Sequence, residues 1–100
     1  MAIDFYRGDT ENVQNALIEV GTSSTIILQP SNRKVFYIRN SGSNPVTLNI
    51  GAGKAETNKG VVLNIGATYA EADSENFKTF TGTITAISEG GTSTLSIMSR

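Results

Sequence analysis

The feature that most constrains this chain is a series of short segments that alternate apolar and polar residues with period two. Each is broken by Gly, Asn, Ser or Pro after a handful of positions. Such alternation gives a strand one buried and one solvated face, and the breakers are the residues that turns need. The pattern predicts strands at residues 25–29, 35–40, 46–50, 61–65, 83–88 and 92–98, with 68–70 continuing the fourth after Gly66. Residues 3–7 form a further short aromatic segment ended by Gly8-Asp9. Pro30-Ser31-Asn32 and Ser41-Gly42-Ser43-Asn44-Pro45 read as turns, and residues 51–60 as a polar loop. Seven or eight short strands at this spacing predict an all-β fold, a small antiparallel β-sandwich or jelly-roll-like barrel.

Residues 10–20 differ. Val13, Ala16, Leu17 and Val20 fall at helical spacing, with Thr10 as a cap and Gly21 as a stop. The same residues also read as an irregular strand. Residues 1–20 are therefore set apart as an N-terminal arm carrying a first strand or a short helix. Residues 21–100 form the sandwich domain, and 100 residues fill a single domain.

Two hairpins follow from the turns. A two-residue loop at Gly90-Gly91 would set Ala86 opposite Leu95 and Ile84 opposite Ile97, with Thr85 and Ser96 on the other face. This places Ile84, Ala86, Leu95 and Ile97 in the core. A loop at residues 41–44 would pair Tyr37 with Leu48 and Val35 with Ile50. Phe36 and Ile38 would then form a second apolar face, to be covered by another layer or by a partner subunit, unless a bulge alters the register.

Composition narrows the chemistry. With no His and no Cys, the chain carries no Ser–His or Cys–His nucleophile pair and no zinc site of those ligands. Glu71, Asp73 and Glu75 are the local acidic cluster. It lacks an EF-hand pattern and reads as an acidic turn before Phe77 in preference to a calcium site. Gly51-Ala52-Gly53-Lys54 lacks the spacing and the Ser or Thr of a phosphate loop, and Arg7-Gly8-Asp9 reads as a turn. The net charge of −1 and scattered basic residues argue against a nucleic-acid partner. Arg33-Lys34, the adjacent basic pair, reads as a solvated turn. No apolar run reaches the ~18 residues of a membrane span, and Met1-Ala2-Ile3-Asp4 lacks the start of a signal peptide. The expectation is a non-enzyme without metal, cofactor, small-molecule substrate, nucleic acid or membrane. Tyr6, Tyr37 and Tyr69 are the aromatics available for stacking on a sugar.

One resemblance rests on particular stretches. Gly21-Thr22-Ser23-Ser24-Thr25 is followed by Ser31-Asn32-Arg33-Lys34 and a strand ending in Arg39-Asn40. Then come Asn49-Ile50-Gly51, a strand closed at Gly66, and a final pair containing Gly82-Thr83-Ile84-Thr85-Ala86-Ile87-Ser88 and Leu95-Ser96-Ile97. Over roughly residues 20–98 the chain resembles small all-β virion proteins of tailed phages, the head decoration, cement or head-fibre modules. The resemblance implies a β-sandwich that binds capsid chains, often as a symmetric oligomer, with no catalytic residue. It places the protein on a virion, after synthesis in a host cytoplasm. The expected contacts are Ile3, Phe5 and Tyr6 in the N-terminal segment, with Phe36 and Ile38 on the doubly apolar strand. The competing expectation is a module of a fibre or tail that binds host-surface glycan.

Overall fold

The computed structural model describes residues 13–100. These form eight strands and no helix: β1 (Gln14–Val20), β2 (Thr25–Leu28), β3 (Val35–Asn40), β4 (Val46–Ile50), β5 (Val61–Leu63), β6 (Thr68–Ala72), β7 (Ile84–Ser88) and β8 (Ser93–Ser99). Sheet A has the order β1-β8-β3-β6, and sheet B the order β2-β7-β4-β5. All pairs are antiparallel: β1 with β8, β2 with β7, β3 with β6, and β4 with β5. This nesting, first strand with last and inward to the middle, is the topology of a jelly roll. Gln14–Val20 form a strand and not a helix, and β1 is an edge strand of the sandwich itself.

The core lies between the sheets. Val20, Phe36, Ile38, Leu95 and Ile97 project from sheet A onto Ile27, Val46, Leu48, Leu63, Ile84 and Ala86 of sheet B. Period-two alternation selects most of these residues, since side chains one position along the strand point to the opposite face. Ile27, between Ile26 and Leu28, has no polar neighbour.

The predicted hairpins require correction. β7 pairs with β2 and β4, and β8 pairs with β1 and β3. Ile84 and Ala86 therefore meet Leu95 and Ile97 across the core and do not lie beside them in one sheet. Likewise β3 and β4 lie in different sheets, so Tyr37 opposes Met98 and Ala70, while Leu48 opposes Ala86 and Val61. The alternation identified Ile84, Ala86, Leu95 and Ile97 as inward, but on β3 it did not assign the core face to Phe36 and Ile38. It could not identify partners, because facing residues in two layers and neighbouring residues in one obey the same apolar-to-apolar rule.

Two polar locks brace the ends of β3. At one end Asn40, fully buried, donates from Nδ2 to Asn44 O (2.8 Å) and Leu63 O (3.0 Å). Its Oδ1 accepts from Gly42 N (3.1 Å) and Ser93 Oγ (2.8 Å). All four hydrogen-bonding positions of the amide are filled, and they tie β3 and β8 of sheet A to β5 of sheet B. Gly42 is required here, since a Cβ would collide with Ser93 Oγ and Thr94 N.

At the other end is Arg33, only 4% exposed. Its Nη1 donates to Phe80 O (2.5 Å), and its Nη2 donates to Gln29 O (2.6 Å) and Gly82 O (3.1 Å). The guanidinium carbon sits 5.7 Å from the Phe36 ring centroid. Arg33 is thus a buried clasp between the segments flanking β2, β3 and β7, and the solvated turn expected of Arg33-Lys34 holds for Lys34 alone. A planar fork with several fixed donors can satisfy three converging carbonyls.

Candidate functional site

The two outer faces of the sandwich differ. Thr47 and Thr85 point outward from sheet B, yet both are buried, because residues 51–60 fold back over them. Asn58 N donates to Thr47 Oγ1 (3.0 Å), Thr85 Oγ1 donates to Gly53 O (3.4 Å), and Ala55 N donates to Ser24 Oγ (2.8 Å). Ala55 is itself buried, and Gly60, at φ 138°, lies so close to Leu48 O that a Cβ would collide with it. The polar loop of the sequence therefore covers Thr47 and Thr85 on the outer face of sheet B, while Ile26 and Val62 on that face stay exposed.

Sheet A has no such cover among the described residues. Its outward side chains are Asn15, Leu17 and Glu19 from β1, Thr94, Ser96 and Met98 from β8, Val35, Tyr37 and Arg39 from β3, and Thr68, Ala70 and Ala72 from β6. Met98, Tyr37 and Ala70 stand in one cross-strand row, with Asn15 at its end. Leu17, 73% exposed, stands beside Met98's neighbour Ser96. An open groove of about 360 Å³ runs between Leu17, Tyr37, Ser96 and Met98. Its openness suits side chains projecting from a partner surface better than the enclosure a small ligand needs.

The expected interface residues separate. Phe36 and Ile38 are fully buried between the sheets, so they do not form a contact surface. The apolar doubling of β3 has a simpler origin: Phe36, Ile38 and Asn40 face the core, and Val35 and Tyr37 face out. Ile3, Phe5 and Tyr6 lie outside the described residues, as do Arg7-Gly8-Asp9. Among the tyrosines, Tyr37 lies on the bare face. Tyr69 turns inward, its ring 6.0 Å from that of Phe36, and is no sugar platform.

The acidic cluster is divided among local partners. Glu71 accepts from Tyr69 Oη at 2.5 Å and from Phe80 N at 2.9 Å. The bond to Glu71 foremost, and burial second, push the Tyr69 phenol up to about 12. Asp73 accepts from Thr79 N at 2.8 Å and pairs with Lys78 at 3.6 Å. The Thr79 bonds, chiefly, hold its carboxyl below the ordinary range. Glu75 is exposed. Glu71 lies in β6, Asp73 follows it, and of the three only Glu75 lies in the turn at 75–76 before Phe77. Glu71 and Asp73 are held by the fold as anchors of the segment at 77–80. No group of three His, Cys, Asp or Glu among the described residues could hold a metal ion, and no described helix is long and apolar enough to cross a membrane.

Leu17 is the residue that sequence reasoning passed over. The signal was present: Leu17 and Ile18 are adjacent in a strand, so only one can face the core. Arg33 carried no comparable signal, because its acceptors at residues 80 and 82 are remote in sequence. No protein-family model, curated protein or solved structure matches this chain.

Proposed function

We propose that this chain is a structural component of a tailed-phage virion, docking on a capsid protein as a decoration, cement or fibre-base module and associating with copies of itself. The observation that carries the reading is the uncovered outer face of sheet A, where Leu17, Tyr37 and Met98 stand together along one open groove. The loop at residues 51–60, by contrast, covers Thr47 and Thr85 of sheet B and leaves Ile26 and Val62 exposed beside it. A contiguous apolar group on one face marks an interaction surface. The jelly-roll order adds an analogy at the level of the fold, since viral capsid and lectin domains use it. On this reading the protein acts by binding, needs no cofactor, and resides on the particle after synthesis in the host cytoplasm.

Mass spectrometry of purified virions tests the setting, and sedimentation of the purified protein with particles lacking it tests the binding. The expected result is co-sedimentation that Tyr37→Ser weakens. Absence of the chain from virions together with no binding to them would overturn the reading. The same tyrosine, with Asn15 and Ser96 beside it along the groove, favours glycan binding as the second reading. Retention on a glycan array, lost in Tyr37→Ser, would move the assignment there.

A further inference from the structure

β1 is seven residues long and, among the described residues, pairs on one side only. The backbone groups that face its open edge follow from the ladder. Ser41 N donates to Thr94 O at 2.9 Å, so the polar groups of Thr94 face β3. In an antiparallel ladder, opposed residues either exchange both hydrogen bonds or point both sets of groups apart. Thr94 opposes Glu19, so the N–H and C=O of Glu19 face the open edge. By alternation, those of Leu17 and Asn15 face it too.

An open strand edge is a template for another strand, and proteins blunt such edges with short strands, Lys, Pro or bulges. Two of the other edge strands of this sandwich are blunted: β2 has four residues and a register shift between Ile26 and Leu28, and β5 has three residues, while β6, with five, is shorter than β1. β1 has none of these devices. Its sequence, QNALIEV, holds no Pro, Gly, Lys or Arg, and its register with β8 is unbroken.

We propose that β1 pairs antiparallel with β1 of a second copy about a two-fold axis through Leu17, joining two copies of sheet A into one eight-stranded sheet. This register sets Leu17 against Leu17 and Asn15 against Glu19 of the second copy, amide to carboxylate with no like charges opposed. The edge-facing N–H and C=O groups of Asn15, Leu17 and Glu19 are then all consumed within the two strands. A centre moved to Ala16 or Ile18 would set Leu17 opposite Asn15 or Glu19 and push one pair of edge groups past the strand end. On the inner face the chosen register brings Ile18 of the second copy against Ala16, which is exposed although it points toward the core side. An isologous contact of this kind closes at two subunits. It deepens the self-association of the reading above and does not depend on the capsid.

The full chain has no cysteine, so Leu17→Cys gives a single reporter on the axis. Hydrogen-bonded antiparallel residues have Cα atoms about 5.5 Å apart, within the ~4.4–6.8 Å span of a disulfide. Mild oxidation is expected to yield a covalent dimer of Leu17→Cys and none of Ile26→Cys, whose site is exposed on the blunted edge strand β2. Sedimentation velocity across concentration is expected to show a wild-type dimer that Leu17→Lys weakens about tenfold or more. Mixing Leu17→Lys with Leu17→Glu is expected to restore it, and each variant's thermal midpoint confirms folding. A monomer at every concentration, equal cross-linking of both cysteine variants, or a Leu17→Lys dimer as tight as wild type would each overturn the proposal. A chain that dimerises through Leu17 yet never joins virions would leave this inference standing and defeat the capsid reading.

Discussion

Asn40→Asp replaces one buried atom group with another of the same shape, which makes it a sharp probe of the lock at the end of β3. The amide orientation is fixed by its partners: Gly42 N–H must meet an acceptor, and the carbonyls of Asn44 and Leu63 must meet donors. The variant keeps the acceptor side and loses both donors, so two carbonyls confront a carboxylate oxygen. Each lost bond removes about 1 kcal/mol, and an orphaned buried carbonyl costs about 1–3 kcal/mol. The sum, with water reaching the part-buried Asn44 side, is about 3–5 kcal/mol. Against a typical domain stability of about 5–15 kcal/mol, that lowers the melting temperature by roughly 15 °C or more.

The loss carries a pH signature. Burial opposite two carbonyls raises the new carboxyl above its unfolded value of about 3.9. A raised pKa supplies stability that is present below the unfolded value and lost as pH climbs through the folded one. The gap between wild type and variant is therefore narrowest near pH 4, where the protonated acid donates to one carbonyl, and widens toward neutrality. Urea unfolding of both proteins from pH 4 to 8 measures this directly. A gap below about 1 kcal/mol, or one that does not change with pH, would refute the assignment of donors and acceptors.

Other substitutions test separate parts of the fold. Arg33→Met keeps an apolar stem against Phe36 but abandons three carbonyls, and is expected to lose about 3–4 kcal/mol in denaturant unfolding, with Arg33→Lys recovering less than half. Ser88 Oγ is buried without a hydrogen-bond partner among the described residues, so Ser88→Ala is expected to raise stability by about 1 kcal/mol in the same assay. Tyr69, pushed up to about 12 by its bond to Glu71, adds stability that is complete below about pH 10 and lost between about 10 and 12. The melting-temperature gap between wild type and Tyr69→Phe is therefore expected to shrink over that range. Leu95→Ala, which opens a cavity at a fully buried site, is expected to cost about 2–5 kcal/mol by thermal unfolding.

The strands were largely legible in the sequence. The stretch 61–70, read as one strand broken at Gly66, is instead β5 and β6 in different sheets. The segments at 35–40 and 46–50 coincide with β3 and β4, and those at 25–29, 83–88 and 92–98 differ from β2, β7 and β8 by a residue or so at the ends, because alternation and turn residues are local signals. The inward set Ile84, Ala86, Leu95 and Ile97 was legible for the same reason. Pairing was not. The turns at residues 41–45 and 89–92 look like hairpin loops, yet each carries the chain from one sheet to the other, and nothing local distinguishes a corner from a hairpin. The assignment of Phe36 and Ile38 to an interface fell with that pairing. The bare face was legible only in part, since Tyr37 stood out but the exposure of Leu17 requires knowing that β1 is an edge. The helical spacing of Val13, Ala16, Leu17 and Val20 misdirected as well: Val20 faces the core, whereas Leu17 points out from the opposite face of the same strand.

The difference between the two faces follows from where the chain spends its connections. The ten residues between β4 and β5 join neighbouring strands of sheet B, so a loop far longer than a hairpin needs must lie over that sheet or extend into solvent. Its Ala55 and Gly60 dock on the sheet, and Thr47 and Thr85 supply the hydroxyls that fix it. The connections within sheet A are made through sheet B or around the ends, where Asn40 and Arg33 hold them, so none of those described crosses its outer face. Both locks bury their side chains at the ends of β3 and leave Tyr37 at its centre free. Substitutions on the outer face of sheet A should then be nearly silent in stability, as surface changes are within about 0.5 kcal/mol. Tyr37→Ser tests this: a loss of binding with an unchanged melting temperature is expected, and a melting temperature lowered as far as that of Leu95→Ala would show that the face serves folding instead.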